Sequence, residues 1–510
     1  MTNNKGCREL NVDPQHSSYT FEQKLVPPNN LVVESEELLK NGYRLGLVSA
    51  QDYGEIKYIS YVFLAGNPDR RVEIIVELNP KKSEVPSLGS LSFSAGRFER
   101  EFFDLFGIVP LTHPFLRPLV FHGNWPINWH PMAYNATQPK FDDEGTYEFP
   151  FVEVSGDGIF EIPVGPVHAG LIEPGHFRFS VVGETIVKMK ARLWFLHRGI
   201  EKSFEGKTIE GALELSERIS GDSAVGHSLA FSLAVEDYLN IKVDENEQLQ
   251  RARLLELERI YNHVSDIGAL CNDVGYGVAN AYAQILKEDL LNFNASLTGH
   301  RLLRNCADYC RNNRLDDFNI SQIKDFTDKF EDLINLIENN SSVLDRFVGT
   351  ATLSLDDTKT LGVLGVVAKG SSLPSDARYS HPFAFKTPGV TPTTEESGDV
   401  FSRYRVRVNE VRESFQFVKD PHQGFALDSN SNFKNNKNIK QCGIGIVEGW
   451  RGTIVSRVEL NSDNTIKRYK IVDPSFLNWP ALSVALKDTI VPDFPLANKS
   501  FNLSYSGNDL

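Results

Sequence analysis

Apolar residues change their spacing near residue 198, and that change constrains the fold more than any other feature of the chain. Upstream, YISYVFLAG (58–66) and RVEIIVELNP (71–80) are short runs of β-branched and aromatic residues closed by turn formers, the pattern of strands. GRFEREFFDLFGI (96–108) breaks that rhythm. Phe98, Phe102, Phe103, Leu105 and Phe106 recur at helical spacing and Gly107 follows, which predicts a short amphipathic helix. Residues 126–158 are rich in Pro, Asn, Asp and Gly and read as a linker or wrapping segment. IFEIPVGPVHAG (159–170) and FRFSVVGETIVKMKARLWF (177–195) then predict a β-hairpin or small sheet.

From about residue 198 to 346 the period is helical. Leu213, Leu215 and Ile219 are followed by Leu229, Phe231, Leu233 and Ala234, and then by Leu254, Leu257, Ile260, Val264 and Ile267 on one stripe. Residues 321–340 and 400–418 add two more amphipathic helices, and LGVLGVVA (361–368) suits a buried strand or a short helix. The segment 427–443 is a polar loop, after which TIVSRVEL (453–460) and RYKIV (468–472) return to strand. The expected fold is α+β: an α/β module over 1–125, a linker over 126–158, and a mostly helical module with small edge β-sheets over 159–510.

Composition removes several function classes. With 41% hydrophobic and 24% charged residues in 510, the chain can bury a large core. A net charge of −14 argues against nonspecific nucleic-acid binding, so no nucleic-acid partner is expected. The five cysteines (Cys7, Cys271, Cys306, Cys310, Cys442) form no C-x-x-C, which excludes a zinc ribbon or ferredoxin-type cluster motif and points to buried reduced thiols. Cys306 and Cys310 would share one face if their segment were helical. The N-terminus lacks an apolar signal core, and no run approaches the roughly 18 apolar residues of a membrane span. A protein soluble by itself, reaching a membrane only through partners, is the expectation.

Several segments carry a resemblance. GRFEREFFDLFGIVPLTHPFLRPLVF (96–121) resembles the hallmark of the small peripheral-arm subunit of respiratory complex I. VGPVHAGLIEPGHFRFSVVGETI (164–186), WFLHRGIEKSFEG (194–206), LELERIYNHVSDIG (255–268) and GDVFSRYRVRVNEVRES (398–414) resemble the complex I subunit that frames the quinone cavity. They are also similar to the large subunits of membrane-bound, energy-converting nickel–iron hydrogenases of the formate hydrogenlyase and hydrogenase-4 type. In such hydrogenases the segments E-R-x-C-x-x-C and D-P-C-x-x-C supply four metal thiolates. Here ERISGDS places Ser220 and Ser223 at the first pair of positions, and DPSFLN places Ser475 and Asn478 at the second. A serine hydroxyl is hard and stays protonated near neutral pH, so a nickel site is not expected and no metal ligand is assigned. The chain departs from its relatives elsewhere. Gly221 falls near the position of the complex I cavity tyrosine, and LLRNCADYCRNNR (302–314) replaces a glycine-rich segment.

The resemblance implies roles for particular residues. Glu173, in the turn LIEPGHF, would pass protons, since a carboxyl in a closed cleft can hold its proton to higher pH; otherwise it is a turn carboxylate. His176 or His168 would bond a quinone headgroup, imidazole being able to donate to its oxygen, or else cap the hairpin. Glu173 and His176 are therefore the candidate catalytic residues. His168, His227, Ser220, Ser223, Asp473, Ser475 and Asn478 are the candidate lining of a polar or quinone pocket, with drifted filler as the alternative. His227 follows Ser223 at i, i+4 and would face the same side. His197, Arg198 and Glu201, the Asp376–Arg378 pair, and Asp399, Arg403 and Arg405 read as structural charge networks.

The implied function is that of a peripheral-arm subunit of an NADH:quinone oxidoreductase-like or hydrogenase-related complex, of the NAD(P)H/quinone type. It would sit on the inner face of the cell membrane and couple electron transfer to ion-translocating subunits. The implied partners are a small iron–sulfur subunit and a ferredoxin-like iron–sulfur subunit, which hold the clusters, and antiporter-like and other membrane subunits. No cofactor is assigned to this chain itself, and a quinone is the small molecule that the resemblance leaves open to it. The alternatives are a non-catalytic scaffold and, least favoured, an active nickel–iron hydrogenase.

Overall fold

The computed structural model describes residues 19–126, 128–139, 149–169, 172–307, 320–384, 392–420 and 441–510. The expected linker therefore lies partly, and the polar loop of 427–443 mostly, outside the described residues, as do Cys7 and Cys310.

The N-terminal part contains β1 (Thr20–Leu25), α1 (Leu31–Lys40), β2 (Arg44–Asp52), β3 (Lys57–Ala65), β4 (Arg70–Leu78), β5 (Glu84–Pro86), α2 (Phe93–Phe106) and β6 (Val109–Leu111). Its main sheet has the order β1-β4-β3-β2, with β1 parallel to β4 and the other neighbours antiparallel. Helix α2 starts at an N-cap, Ser92, whose Oγ accepts the Ala95 N–H, and ends at Gly107, whose φ of 67° lets the chain leave the helix. Phe98, Phe102, Leu105 and Phe106 are buried as their spacing predicts, each contributing about 1.5–3 kcal/mol.

The second part opens with an antiparallel sheet of β7 (Ile159–Val164), β8 (His176–Val182) and β9 (Thr185–Arg192). Its helices are α3 (Ile200–Phe204), α4 (Ile209–Ser216), α5 (Ala224–Leu239), α6 (Glu245–Asp273), α7 (Gly277–Thr298), α8 (Ile320–Glu338), α9 (Ser341–Phe347), α10 (Leu355–Leu361), α11 (Gly365–Lys369), α12 (Ala377–Ser380) and α13 (Val400–Lys419). A second antiparallel sheet, β10 (Gly443–Gly449), β11 (Gly452–Leu460) and β12 (Ile466–Val472), leads into α14 (Pro474–Ala485), α15 (Phe494–Phe501) and α16 (Tyr505–Asp509). The α+β architecture is as expected. LGVLGVVA resolves into the end of α10 and the short helix α11, and the described residues after Thr298, which include the buried Cys306, are not helical up to residue 307. No helix of the described residues is long and apolar enough to cross a membrane.

One apolar cluster runs from the N-terminal sheet through α2 into β7–β9, β10–β12 and α14. Buried charges cross the same seam. Arg457 on β11 donates to Glu73 on β4 at 2.7 Å and also pairs with Glu459, which accepts the Tyr53 and Tyr58 hydroxyls at 2.9 and 2.8 Å. Lys470 on β12 bonds both oxygens of Glu101 on α2 at 2.7 and 2.8 Å and lies 2.9 Å from Glu201 on α3, which also holds Arg468. The remaining acids of α2 point inward too: Glu99 accepts from Leu88 N and Ser87 Oγ, and Asp104 from Leu119 N and Val120 N.

Of the charge networks read from the sequence, the Asp376–Arg378 pair forms, whereas Asp399 and Arg403, like His197 and Arg198, bond main-chain groups. Asp376 binds Arg378 and Lys369, Arg378 reaches Glu256, and Asp399 caps α13 through Ser402 N while Arg403 donates to Gly398 O and Ala351 O. Removing one member of a buried pair strands the other. Lys470→Met, which leaves Glu101 without its cation, is expected to cost about 3–5 kcal/mol in chemical denaturation. A change at the exposed Lys188 is expected to stay within about 0.5 kcal/mol. Equal midpoints for the two variants would contradict the seam as a stabilising element.

Glu448, on β10, is pushed up to about 7 by burial and by the nearby Asp376, against the pull of Lys369. The folded state therefore keeps a proton that the unfolded chain releases near its ordinary value, so stability falls as pH rises from about 4.3 to about 7 and is level above. In Glu448→Gln this slope should vanish, a relative gain on the order of 1–3 kcal/mol at pH 8 and none at pH 4. Parallel pH profiles for the two proteins would count against it.

Candidate functional site

The second sheet brings the two ligand-spaced segments together. The β10–β11 turn carries Trp450 and Arg451, and Asp473 follows directly on β12. Opposite lies the loop before α5. Arg198 holds that loop through Arg218 O and Ile219 O at 3.1 and 2.8 Å, and Glu217 accepts Asn305 N at 2.5 Å. Arg451 grips Asp222 bidentately at 2.7 and 2.6 Å, with its guanidinium over the Trp450 ring at 3.9 Å. Trp450 Nε1 donates to Asp222 O and to Ser223 Oγ at 2.9 and 3.1 Å. Desolvation pushes the Asp222 carboxyl up and Arg451 overrides it, bringing it down to about 2. With 42% of the Asp222 side chain open to solvent, the pair is a geometric clamp more than a source of stability.

Ser223 stands at the N-cap of α5 but makes no capping bond, because its hydroxyl faces Trp450 and Arg451. Glu258, on α6, does that work from outside: its carboxylate accepts Val225 N at 2.7 Å and Gly226 N at 3.0 Å. One turn into α5, His227 Nε2 meets Asp473 Oδ2 at 3.0 Å, both side chains being buried. His227 thus turns toward the second segment and Ser223 toward the β10–β11 turn. Asp473 also caps α14 by accepting Ser475 N at 2.8 Å, and Pro474 fills N1, so the D-P-S sequence is here a helix start. Burial raises the Asp473 carboxyl, while His227 and Arg451 together keep it below its usual range.

Ser475 Oγ accepts Ser504 N at 2.9 Å, and Ser504 Oγ lies 2.8 Å from Ser220 Oγ, so Ser220 and Ser475 converge on Ser504. Ser220 also donates to Asp222 at 2.9 Å. Asn478 goes elsewhere, clasping Leu364 N and O at 2.8 and 3.1 Å. Ser220, Ser223, Ser475 and Asn478 are at most 3% exposed; the three serines form a closed hydrogen-bonded locus rather than the lining of an open pocket, and Asn478 takes no part in it. Their hydroxyls and amide are hard donors that do not suit nickel or a low-valent iron, and among the described residues no His, Cys, Asp or Glu group converges as a metal cage. Nor does the locus, with its hydroxyls engaged by Ser504, Trp450 and Asp222, fit a quinone.

The hairpin residues sit apart. His168 Nε2 bonds Gly175 O at 2.7 Å and His176 Nδ1 bonds Gly165 O at 3.2 Å, bracing the β7–β8 connection. Gly165 is required there: its φ is 79° and a Cβ would lie 2.2 Å from Gly175 O. Glu173 reaches the locus through Oε2, which accepts Ser506 N at 3.2 Å. Sequence reasoning missed Asp222, Glu258, Trp450, Arg451 and Ser504. Asp222 lies inside ERISGDS and Ser504 inside the final segment WPALSVALKDTIVPDFPLANKSFNLSYSGNDL, but neither stands at a ligand-spaced position.

Because Glu258 rather than Ser223 satisfies the first amides of α5, Ser223→Ala is expected to cost less than about 1 kcal/mol and Glu258→Ala about 1–3 kcal/mol. Denaturation midpoints check this, and the reverse order would restore the ordinary serine cap.

Two family models match the chain: the 30 Kd subunit of the respiratory-chain NADH dehydrogenase over residues 26–141, and its 49 Kd subunit over residues 273–440. Formate hydrogenlyase subunit 5 of Escherichia coli K12 is 28% identical over 460 residues, covering 86% of this chain and 79% of its own. Hydrogenase-4 component G of the same organism is 29% identical over 469 residues, with 89% and 81% covered. The C/D subunit of the NADH-quinone oxidoreductase of Phocaeicola vulgatus is 27% identical over 405 residues, with 73% and 76% covered. Among solved structures, a chain of the archaeal membrane-bound sulfane sulfur reductase shares the fold, with a TM-score of 0.59 at 22% identity over 69% of this chain and 99% of that one. The chain is a fusion of the 30 Kd-type and 49 Kd-type domains of the respiratory-chain NADH dehydrogenase, homologous to the large subunits of formate hydrogenlyase and hydrogenase-4 and to the C/D subunits of NADH-quinone oxidoreductases.

Proposed function

We propose that this chain is a docking and coupling subunit of a membrane-associated oxidoreductase complex in which partner subunits carry the redox centres. The observation that supports this most is the closed locus. Ser220, Ser223, Ser475 and Asn478 offer no thiolate, and their polar atoms are engaged within the chain. Electrons then enter from a small iron–sulfur subunit and a ferredoxin-like subunit, and the energy passes to antiporter-like membrane subunits on whose inner face the chain sits.

The place for a quinone is the β7–β8 hairpin rather than the serine locus. His168, Glu173 and His176 are half-buried, and His176 Nε2 has no hydrogen-bond partner among the described residues. In this reading His176 presents that nitrogen to a quinone oxygen and Glu173 supplies or takes the accompanying proton. The closure of the locus also favours a second reading, a scaffold that docks its partners and touches no electron acceptor.

Purification from membranes through a tag on this chain tests both. The expected product is a complex containing iron–sulfur and hydrophobic membrane subunits, with quinone-analogue reduction lowered about 10²-fold or more in Glu173→Gln and in His176→Ala. Wild-type rates in both variants would transfer support to the scaffold. Recovery of the chain alone, or with stoichiometric nickel, would overturn the proposal.

A further inference from the structure

The residues at the ligand-spaced positions do not suit a soft metal, yet the locus they form is complete. What completes it is the stretch from Asn502 to Asp509. We propose that this stretch is an internal occupant of the locus, taking hydrogen-bonding positions around Ser220 and Ser475 and packing against Asp473, places that a bound group would otherwise fill. The inference rests on the reading that the redox centres lie on partner subunits, and it adds that the locus needs neither metal nor ligand to reach its folded form.

The contacts are distributed over every wall. At the near end, Asn502 Nδ2 donates to Asp266 at 2.7 Å and its carbonyl accepts Arg451 Nε at 2.5 Å. In the middle, all polar groups of Ser504 are engaged: its N–H with Ser475 Oγ, its carbonyl with Trp479 Nε1 at 3.3 Å, and its hydroxyl with Ser220 Oγ and with Gly507 N at 2.9 Å. Ser506 N reaches Glu173, and the Tyr505 ring packs edge-on against Trp479 with centroids 4.8 Å apart. At the far end, Asp509 accepts Leu196 N at 3.0 Å and its carbonyl bonds His197 Nδ1 at 2.8 Å. One stretch thus ties the Asp222–Arg451 clamp, both ligand-spaced segments, the hairpin glutamate and the residues that lead into α3.

Gly507 shows how close the fit is. A Cβ there would lie 2.6 Å from both Cγ and Oδ2 of Asp473. That carboxylate cannot swing aside freely, because it holds His227 and the first turn of α14. A single methyl at 507 therefore acts as a wedge between the stretch and the wall it covers.

Hydrogen exchange read by mass spectrometry on the full-length protein tests the assignment. In the wild type, amides 503–507 should be as protected as those of β10–β12. Ser504→Ala should raise exchange at 503–507 about tenfold or more, with β10–β12 unchanged. Gly507→Ala should do the same more strongly. If that variant fails to fold, Ser504→Ala, which removes one hydroxyl, carries the test. Titration with Ni(II) alone should give no stoichiometric binding to the wild type. Rapid wild-type exchange at 503–507, unchanged protection in Ser504→Ala, or one tightly bound Ni(II) per chain would each overturn the proposal. Protection that stands while partners fail to co-purify would instead overturn the proposed function and leave the occupant in place.

Discussion

The contact between β12 and α2, made through Lys470 and Glu101, is the constraint on which the rest of the structure depends. It fixes the second sheet against the N-terminal part, and that sheet aims the site: the clamp residues Trp450 and Arg451 leave one end of it, and Asp473 leaves the end of its last strand. Lysine and carboxylate here are both almost fully removed from water, so each is tolerable only because the other is present. Glu201 and Arg468 extend the same arrangement to α3, which follows closely on the Arg198 that pins the Ser220 loop.

Within that frame the change from sulfur to oxygen alters more than ligand softness. A thiolate directed at a metal needs few other partners, whereas a buried hydroxyl both donates and accepts and is costly if left alone. Ser220, Ser223 and Ser475 are each satisfied by a neighbour that is itself fixed: Asp222 by Arg451, Trp450 by the strand turn, Ser504 by Trp479 and Gly507. Asn478 resembles a peptide group in what it offers, one donor and one acceptor to the main chain of Leu364, and so stabilises the start of α11 rather than the site.

Much of the architecture was legible in the sequence because it is set by local periodicity. The aromatic stripe of α2, the long stripe of α6 and the β-branched runs of β3, β4, β11 and β12 all declare their elements. The burial of Glu99, Glu101 and Asp104 was not legible. Acids beside an aromatic stripe ordinarily face solvent, and the lysine that neutralises Glu101 is 369 positions away. The site divides in the same way. The spacing of Ser220, Ser223, Ser475 and Asn478 was readable, and so was the place of Glu173 in its turn. Their closure depends on Ser504 and Gly507, whose importance comes from where distant segments lead them and from no pattern of their own.

The shared core and its crossed charges also bear on why the two parts are joined in one polypeptide. Severed between them, one piece would expose the Lys470 and Arg457 face of its sheet and the other the Glu73 and Glu101 face, each surrounded by apolar surface. Such faces recognise one another but also adhere to strangers while they wait. Tethering makes the encounter intramolecular, which raises the effective concentration of each face for the other, so docking outruns aggregation. The linker is in this sense a kinetic device: by joining the two faces in one chain it decides how quickly the finished molecule forms.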